Sequence, residues 1–159
     1  MSTVGSNLCC SFLTFEKKKP LGEKGLYWLF AHLANLVEQD KISFDDQYKY
    51  AEDNLEYAYE SVKNPINSDI NAKSSWWRKE PNDPFQALAT CYEILNALEC
   101  GHDPILYESN LPVHMDGSCN GLQHYAALEH DPLGRFAVNL RSNVTSPQDV
   151  YSGVMQKVT

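Results

Sequence analysis

The hydrophobic positions of this chain fall into three blocks of helical spacing separated by polar, proline-bearing connections. Between Gly25 and Glu38, the residues Leu26, Leu29, Phe30, Leu33, Leu36 and Val37 recur at intervals of three and four, which predicts a half-buried helix. Ser43, with Asp46 three residues later, opens a second helix in the manner of a capping box. Tyr50, Leu55, Tyr59 and Val62 supply its apolar positions until Asn64-Pro65 stops it. Residues 64 to 83 are rich in Asn and Ser and carry Pro65 and Pro81, so they read as a long connection. Trp76 and Trp77 anchor that connection and read as packing rather than binding residues. Asp83-Pro84 then starts a third helix, the aspartate capping free amides and the proline losing nothing in the first turn. Phe85, Leu88, Tyr92 and Leu95 continue it until Gly101.

The last third of the chain changes rhythm. Leu111 to Met115 is short and mostly apolar, which predicts a buried strand with Asp116 at its carboxyl end. Gly117 and Ser118 permit a tight turn, and Cys119 to Glu129 form a helix that buries Leu122, Ala126 and Tyr125. Ala137 to Leu140 reads as a second short strand, and Pro147 opens a final amphipathic helix. No internal repeat or low-complexity tract interrupts this order.

Composition narrows the class without deciding it. With 159 residues, 43% of them hydrophobic, the chain has the apolar material for one domain core. No apolar run reaches the roughly 20 residues needed to cross a bilayer, and Met1 to Asn7 lacks a basic flank and hydrophobic stretch, so a soluble chain without a membrane partner is expected. Five cysteines, none in a C-x-x-C pair, indicate neither a zinc site nor a disulfide framework. Reduced thiols in an intracellular compartment are expected. The formal charge of −8 argues against a surface that grips nucleic acid by its phosphates. However, eight acidic residues stand against Lys41 and Lys49 between Glu38 and Glu60, so most of the excess belongs to one solvated helical face. The charge of the whole therefore says little about the surroundings of Asp116.

The candidate chemistry lies in "HMDGSCNGLQHYAALEHD", residues 114 to 131. An aspartate at a strand end, followed by a glycine that lets backbone approach a ligand, suits a divalent cation held beside phosphates. The plainer reading is that Asp116 caps the following helix while Asn120 and Gln123 satisfy local backbone. His124, eight residues on, is a candidate ligand or general base, although a satisfied histidine on a helix face is commoner. A hydrolase built from Ser118, His124 and Asp116 fits poorly, because G-x-S-x-G is absent and the three residues share one short segment.

Asp116 to Tyr125, "DGSCNGLQHY", resembles the first catalytic motif of the single-subunit, bacteriophage-type DNA-directed RNA polymerases, and is most similar to the mitochondrial branch. Further segments occur in the family's order: "KKPLGEKGLYWL" (18 to 29), "HLANL" (32 to 36), "WW" (76 and 77), "DPFQALATCYE" (83 to 93), "LPVHMDGSCNGLQHYAAL" (111 to 128), "AVNL" (137 to 140) and "PQDVYSGV" (147 to 154). The resemblance covers nearly the whole chain. It implies an α/β but helix-rich fold: residues 1–159 as part of the polymerase palm, with 147–159 beginning the fingers.

The resemblance also implies roles. Asp116 matches one of two aspartates that bind catalytic Mg2+, and Gly117 would offer its backbone carbonyl to the metal. Two such ions roughly 4 Å apart activate the RNA 3′-hydroxyl and stabilise charge on the α-phosphate and the departing pyrophosphate. Tyr151 matches a position lining the nucleotide pocket, and Lys41 falls near a family lysine that contacts the triphosphate. Plain packing for Tyr151 and an ordinary surface role for Lys41 remain open. The implied partners are a DNA template, an RNA product, ribonucleoside triphosphates and transcription factors, and the implied location is mitochondrial. The chain departs from the family at Phe30-Ala31, commonly Lys-Ile, and at Glu129-His130, commonly Gly-Arg. The family's arginine-rich motif, its lysine- and tyrosine-bearing helix and its second metal-binding aspartate have no counterpart in these residues. The expectation is a polymerase fragment inactive in isolation. The alternative is a non-catalytic truncated or pseudogene-derived product that at most binds nucleic acid or a partner.

Overall fold

The computed structural model describes residues 12–113, 119–141, 148–151, 153 and 155. Seven α-helices and one two-stranded sheet occur among them, so the fold is helix-rich as expected, with little β-structure. The chain divides into two compact units. The first comprises Met1–Asp40 and Asp45–His114; the second takes in Lys41–Phe44 and the described part of Met115–Thr159.

In the first unit, β1 (Lys19–Pro20) pairs antiparallel with β2 (Glu108–Ser109), in the register Lys19 to Ser109 and Pro20 to Glu108. Backbone bonds from Phe15 to Asn110 and from Leu21 to Tyr107, both 2.9 Å, extend the pairing on either side. Helix α1 (Gly22–Leu36) follows directly, with Glu23 in its first turn, where the helix dipole favours an acid. Its apolar stripe buries Leu29, Phe30, Leu33 and Leu36. The helix ends when Glu38 adopts φ 64°: the Glu38 and Gln39 amides then donate to the Asn35 and Ala34 carbonyls at 3.1 and 3.0 Å, closing a Schellman-type turn without glycine.

The single helix expected from Ser43 to Val62 is two, α2 (Phe44–Asp53) and α3 (Leu55–Lys63). Asn54 explains the break. Its backbone amide and its side-chain Nδ2 both donate to the Tyr50 carbonyl, at 3.2 and 2.8 Å, so a local side-chain bond competes with helix propagation. The acidic residues of this stretch face solvent, as expected, while Ala51 and Ala58 turn into the core.

The connection between 64 and 83 is more ordered than a loop. A 3₁₀ turn (Lys73–Ser75) leads into α4 (Trp76–Lys79). Its polar residues satisfy one another: Asn67 Nδ2 donates to Ser74 Oγ at 2.9 Å, Ser75 Oγ to the Asp69 carbonyl at 2.7 Å, and Arg78 to the Asn67 carbonyl at 2.5 Å. Both tryptophans pack, as expected, each 7% exposed. Trp77 also donates from Nε1 to the Pro65 carbonyl at 3.2 Å, giving the buried indole the partner it needs.

Helix α5 (Pro84–Glu99) carries the other half of the core. Proline occupies its first turn, but the Asp83 carboxylate makes no cap; the Asp83 backbone carbonyl accepts from Ala87 at 2.9 Å instead. Ala87, Cys91 and Ile94 are fully buried and join Leu29, Phe30 and Leu33 of α1 in one cluster. Gly101 ends this run at φ 75°, a conformation glycine adopts without strain.

The expected strand from Leu111 is not formed over Leu111–Val113, which has no regular secondary structure; the described strand comes just before it, at Glu108–Ser109. Leu111 and Val113 are partly buried and pack on the core, and the Leu111 amide donates to Ser109 Oγ at 3.2 Å. His114 to Ser118, and with them Asp116 and Gly117, lie outside the described residues.

Candidate functional site

Two of the four residues assigned roles by resemblance, Lys41 and Tyr151, are described, and both belong to the second unit. Asp116 and Gly117 fall outside the description, and so does Ser118. The described C-terminal part of this unit starts with Cys119 in the left-handed region (φ 60°, ψ 47°), from which helix α6 (Asn120–Leu128) departs. Only Ala126 of this helix is buried; Leu122 and Tyr125, expected inside, are 52% and 65% exposed. The helix fits a neighbour through a narrower stripe than its apolar composition suggests. His124 is exposed on the same helix, consistent with the commoner surface reading.

His130 (φ 53°) and Asp131 turn the chain into α7 (Pro132–Ala137). Asp131 caps that helix through both carboxylate oxygens, accepting from the amides of Leu133 at 3.0 Å and Gly134 at 2.9 Å. Gly134 must be small: a Cβ there would lie 2.6 Å from Asp131 Oδ2 and 3.3 Å from the Ala126 methyl, so its hydrogen lets α6 and α7 approach. The departure at Glu129-His130 sits at this exposed corner, and nothing in the described contacts gives either side chain a special role. Phe30-Ala31, the other departure, is buried in the first unit, with Phe30 5.1 Å from the Tyr48 ring; an aromatic core contact occupies the position where the family commonly has lysine.

The stretch expected as a strand from Ala137 to Leu140 is instead the end of α7 and its turn. Asn139 adopts φ 60°. The Leu140 amide donates to the Arg135 carbonyl at 2.8 Å and the Asn139 amide to Phe136 at 3.2 Å, a Schellman-type closure that buries Val138. From α6, Gln123 Nε2 donates to the Val138 carbonyl at 2.9 Å. The Asn139 side chain then reaches forward: its Nδ2 donates to the Gln148 carbonyl at 2.9 Å and its Oδ1 accepts from the Gln148 amide at 2.6 Å. This side-chain amide pairs with both the amide and the carbonyl of one residue, as a neighbouring strand would.

Beyond Gln148, the backbone is helical at Val150, Tyr151, Gly153 and Met155, as the Pro147 start predicted. Asp149 accepts from the Tyr151 amide at 3.0 Å and from Gly153 through its backbone carbonyl at 3.1 Å. The Tyr151 ring is 70% exposed, and hydrogen bonding with Cys119 is the largest influence on the ionisation of its hydroxyl. That bond, then the charge the thiol can carry, slight desolvation and nearby Asp149, raises the phenol above its ordinary value of 10.0. Tyr151 therefore stays a neutral donor through the physiological range. Lys41 is exposed and makes no ion pair among the described residues, where the single salt bridge is Lys73 with Glu56 at 2.7 Å.

No group of three or more His, Cys, Asp or Glu side chains suited to a metal occurs among the described residues. Asp116 and the Gly117 carbonyl are hard oxygen donors of the kind magnesium takes, but two donors do not complete its shell. The thiols of Cys91, Cys100 and Cys119 are free. Sequence reasoning overlooked Asn139, and it gave Gln123 a local backbone role where the bond is to Val138, 15 residues on. The available signal was asparagine's tolerance of left-handed backbone, obscured because "AVNL" also reads as a strand.

A single-subunit architecture is already implied by this motif order, and comparison with known proteins assigns the class. A family model described as DNA-dependent RNA polymerase matches residues 19–159, and the chain belongs to that family. The mitochondrial DNA-directed RNA polymerase of Neurospora crassa is 45% identical over 99% of the chain, and that of Schizosaccharomyces pombe 43% identical over 98%. The DNA-directed RNA polymerase 2, chloroplastic/mitochondrial, of Arabidopsis thaliana is 42% identical over 99%. The chain spans 10%, 13% and 15% of the length of these three proteins, respectively.

Proposed function

We propose that this chain is part of a mitochondrial DNA-directed RNA polymerase that joins ribonucleotides on a DNA template by magnesium-dependent nucleotidyl transfer. The observation that carries the reading is the match over residues 19–159, together with relatives named as mitochondrial polymerases over nearly all of the chain. In this reading the segment belongs to the palm, with 147–159 entering the fingers. Asp116 supplies one carboxylate to the magnesium and Gly117 its backbone carbonyl. The metal would lower the barrier by holding the attacking hydroxyl and the α-phosphate in line and by neutralising charge on both. Lys41 offers an ammonium to the triphosphate, an ion pair of the kind that strengthens ground-state binding. Tyr151 presents its ring and neutral hydroxyl to the incoming nucleotide. The partners are the template, the growing RNA and ribonucleoside triphosphates, with transcription factors acting on the whole polymerase.

The 159-residue stretch by itself does not extend RNA in this account. One motif-matched carboxylate holds hydrated magnesium poorly, and a net charge of −8 gains little from counterion release on DNA. The test compares the full-length polymerase with the isolated chain on a primed DNA template with ribonucleotides and magnesium. Template-dependent extension by the former alone supports the reading. Extension by the isolated chain, abolished by Asp116→Asn, would make it a minimal polymerase and refute the fragment account.

A further inference from the structure

We infer that Asn139 is a positioning residue for nucleotide binding: its side-chain amide fixes the Gln148 peptide, and through it the helical turn that carries Tyr151, against α6 and α7. The inference rests on the nucleotide role proposed for Tyr151. Three observations independent of that role support the positioning. Asn139 bonds both backbone polar groups of Gln148, its carbonyl at 2.9 Å and its amide at 2.6 Å, so the Gln148 backbone is held in position and in orientation. The left-handed backbone of Asn139 is itself fixed by the closure of α7, with the Leu140 amide 2.8 Å from the Arg135 carbonyl, so the clamp projects from a rigid helix end. Gln123 secures the same turn from α6 by its 2.9 Å bond to the Val138 carbonyl.

The clamp acts on the right segment. Tyr151 lies three residues beyond Gln148, less than one helical turn, and its amide is tied to Asp149, which adjoins the clamped peptide. Asn139 thus anchors the start of the segment that carries the ring, and the ring itself is 70% exposed. A side chain exposed to this degree has little packing to select its rotamer, so the backbone that Asn139 anchors decides where the ring can stand.

Asn139→Gly tests the clamp cleanly, because glycine accepts the φ of 60° while both amide bonds disappear. In the full-length polymerase, Tyr151→Ala and Asn139→Gly are each expected to raise the ribonucleotide KM, the second by roughly fivefold, the scale of lost neutral hydrogen bonds, with kcat nearly unchanged. The double variant should be no worse than Tyr151→Ala alone, because both act through one ring. With 3-fluorotyrosine at position 151, Asn139→Gly should shift or broaden the fluorine resonance, and Asn139→Asp, which keeps the acceptor for the Gln148 amide, should restore part of the parental signal. An unaltered resonance in Asn139→Gly overturns the clamp whatever the kinetics. A raised KM in Tyr151→Ala with parental KM in Asn139→Gly overturns the positioning inference and leaves the Tyr151 role standing. Parental KM in Tyr151→Ala overturns that role, and with it the claim that the clamp serves the nucleotide.

Discussion

Replacing Ile94 by alanine should be among the most damaging single changes to the first unit. Ile94 is fully buried on α5 and belongs to the cluster that includes Leu29, Phe30 and Leu33 of α1. The substitution removes three carbons from water-excluded surroundings, about 2.4 kcal/mol at roughly 0.8 kcal/mol each, before any cavity cost. Because helices α1 and α5 cannot collapse fully into the space, a total of about 3–4 kcal/mol is expected, inside the range observed for such truncations. For a chain of this size that corresponds to a fall in Tm of roughly 10 °C. Leu98, four residues along the same helix and 40% exposed, provides the control: Leu98→Ala should cost under about 1 kcal/mol. The assay is urea and thermal unfolding followed by far-UV circular dichroism. If Ile94→Ala leaves too little folded protein to measure, Ile94→Val, expected at about 1 kcal/mol, keeps the comparison quantitative. Equal costs at positions 94 and 98 would refute the assignment of the core to the α1–α5 interface.

Three further outcomes are expected. Lys41→Ala in the full-length polymerase should raise the ribonucleotide KM more than it lowers the maximal rate, as loss of ground-state phosphate binding requires; unchanged kinetics would return Lys41 to an ordinary surface role. Burial pushes the Cys91 thiol up to about 12 from its ordinary 9.0, so native protein at pH 8 should be alkylated at Cys100 and Cys119 but not at Cys91 until urea is added. The same raised value implies that this residue's contribution to stability is complete below pH 9 and declines as pH climbs from about 9 toward 12, because the unfolded thiol ionises first; urea midpoints across that window, compared with Cys91→Ser, measure it. The isolated chain should self-associate, since Leu122, Leu128 and Leu133 are more than half exposed on α6 and α7; a strictly monomeric sedimentation profile at high concentration would contradict this.

The long helices were legible because their apolar residues recur at the helical period on one face, as in Leu26 to Val37 and in Phe85 to Leu95. Gly101 and the paired tryptophans were equally legible, since each residue type has few alternative uses in such a context. What escaped was decided by side-chain bonds that a hydrophobic pattern does not encode. Asn54 divides one expected helix into two by bonding Tyr50, and Asn139 converts an expected strand into a helix end. Leu111–Val113 has the composition of a strand but joins no ladder: the pairing with β1 is made by Glu108–Ser109, and the Leu111 amide donates to the Ser109 hydroxyl instead. Tyr125 and Leu122 satisfy helical spacing yet remain exposed, because only the stripe at Ala126 meets α7. The candidate site was read through the motif at Asp116 and the match at Tyr151, whereas the anchoring of the segment before Tyr151 emerges only when residues 139 and 148 are brought together in space.

The central claim, that this segment carries a catalytic carboxylate of a polymerase, is tested most directly at Asp116. Single-turnover nucleotide addition should be measured on a primed DNA template with saturating magnesium, using full-length polymerase with aspartate or asparagine at position 116. Asparagine keeps the size of the side chain and removes its charge, so thermal unfolding should be nearly unchanged. The account predicts a rate at least about a thousandfold lower, equivalent to roughly 4 kcal/mol of transition-state stabilisation, which one charged ligand of a metal clamp can supply. A rate within tenfold of the parent, with the fold intact, would remove Asp116 from catalysis and contradict the account.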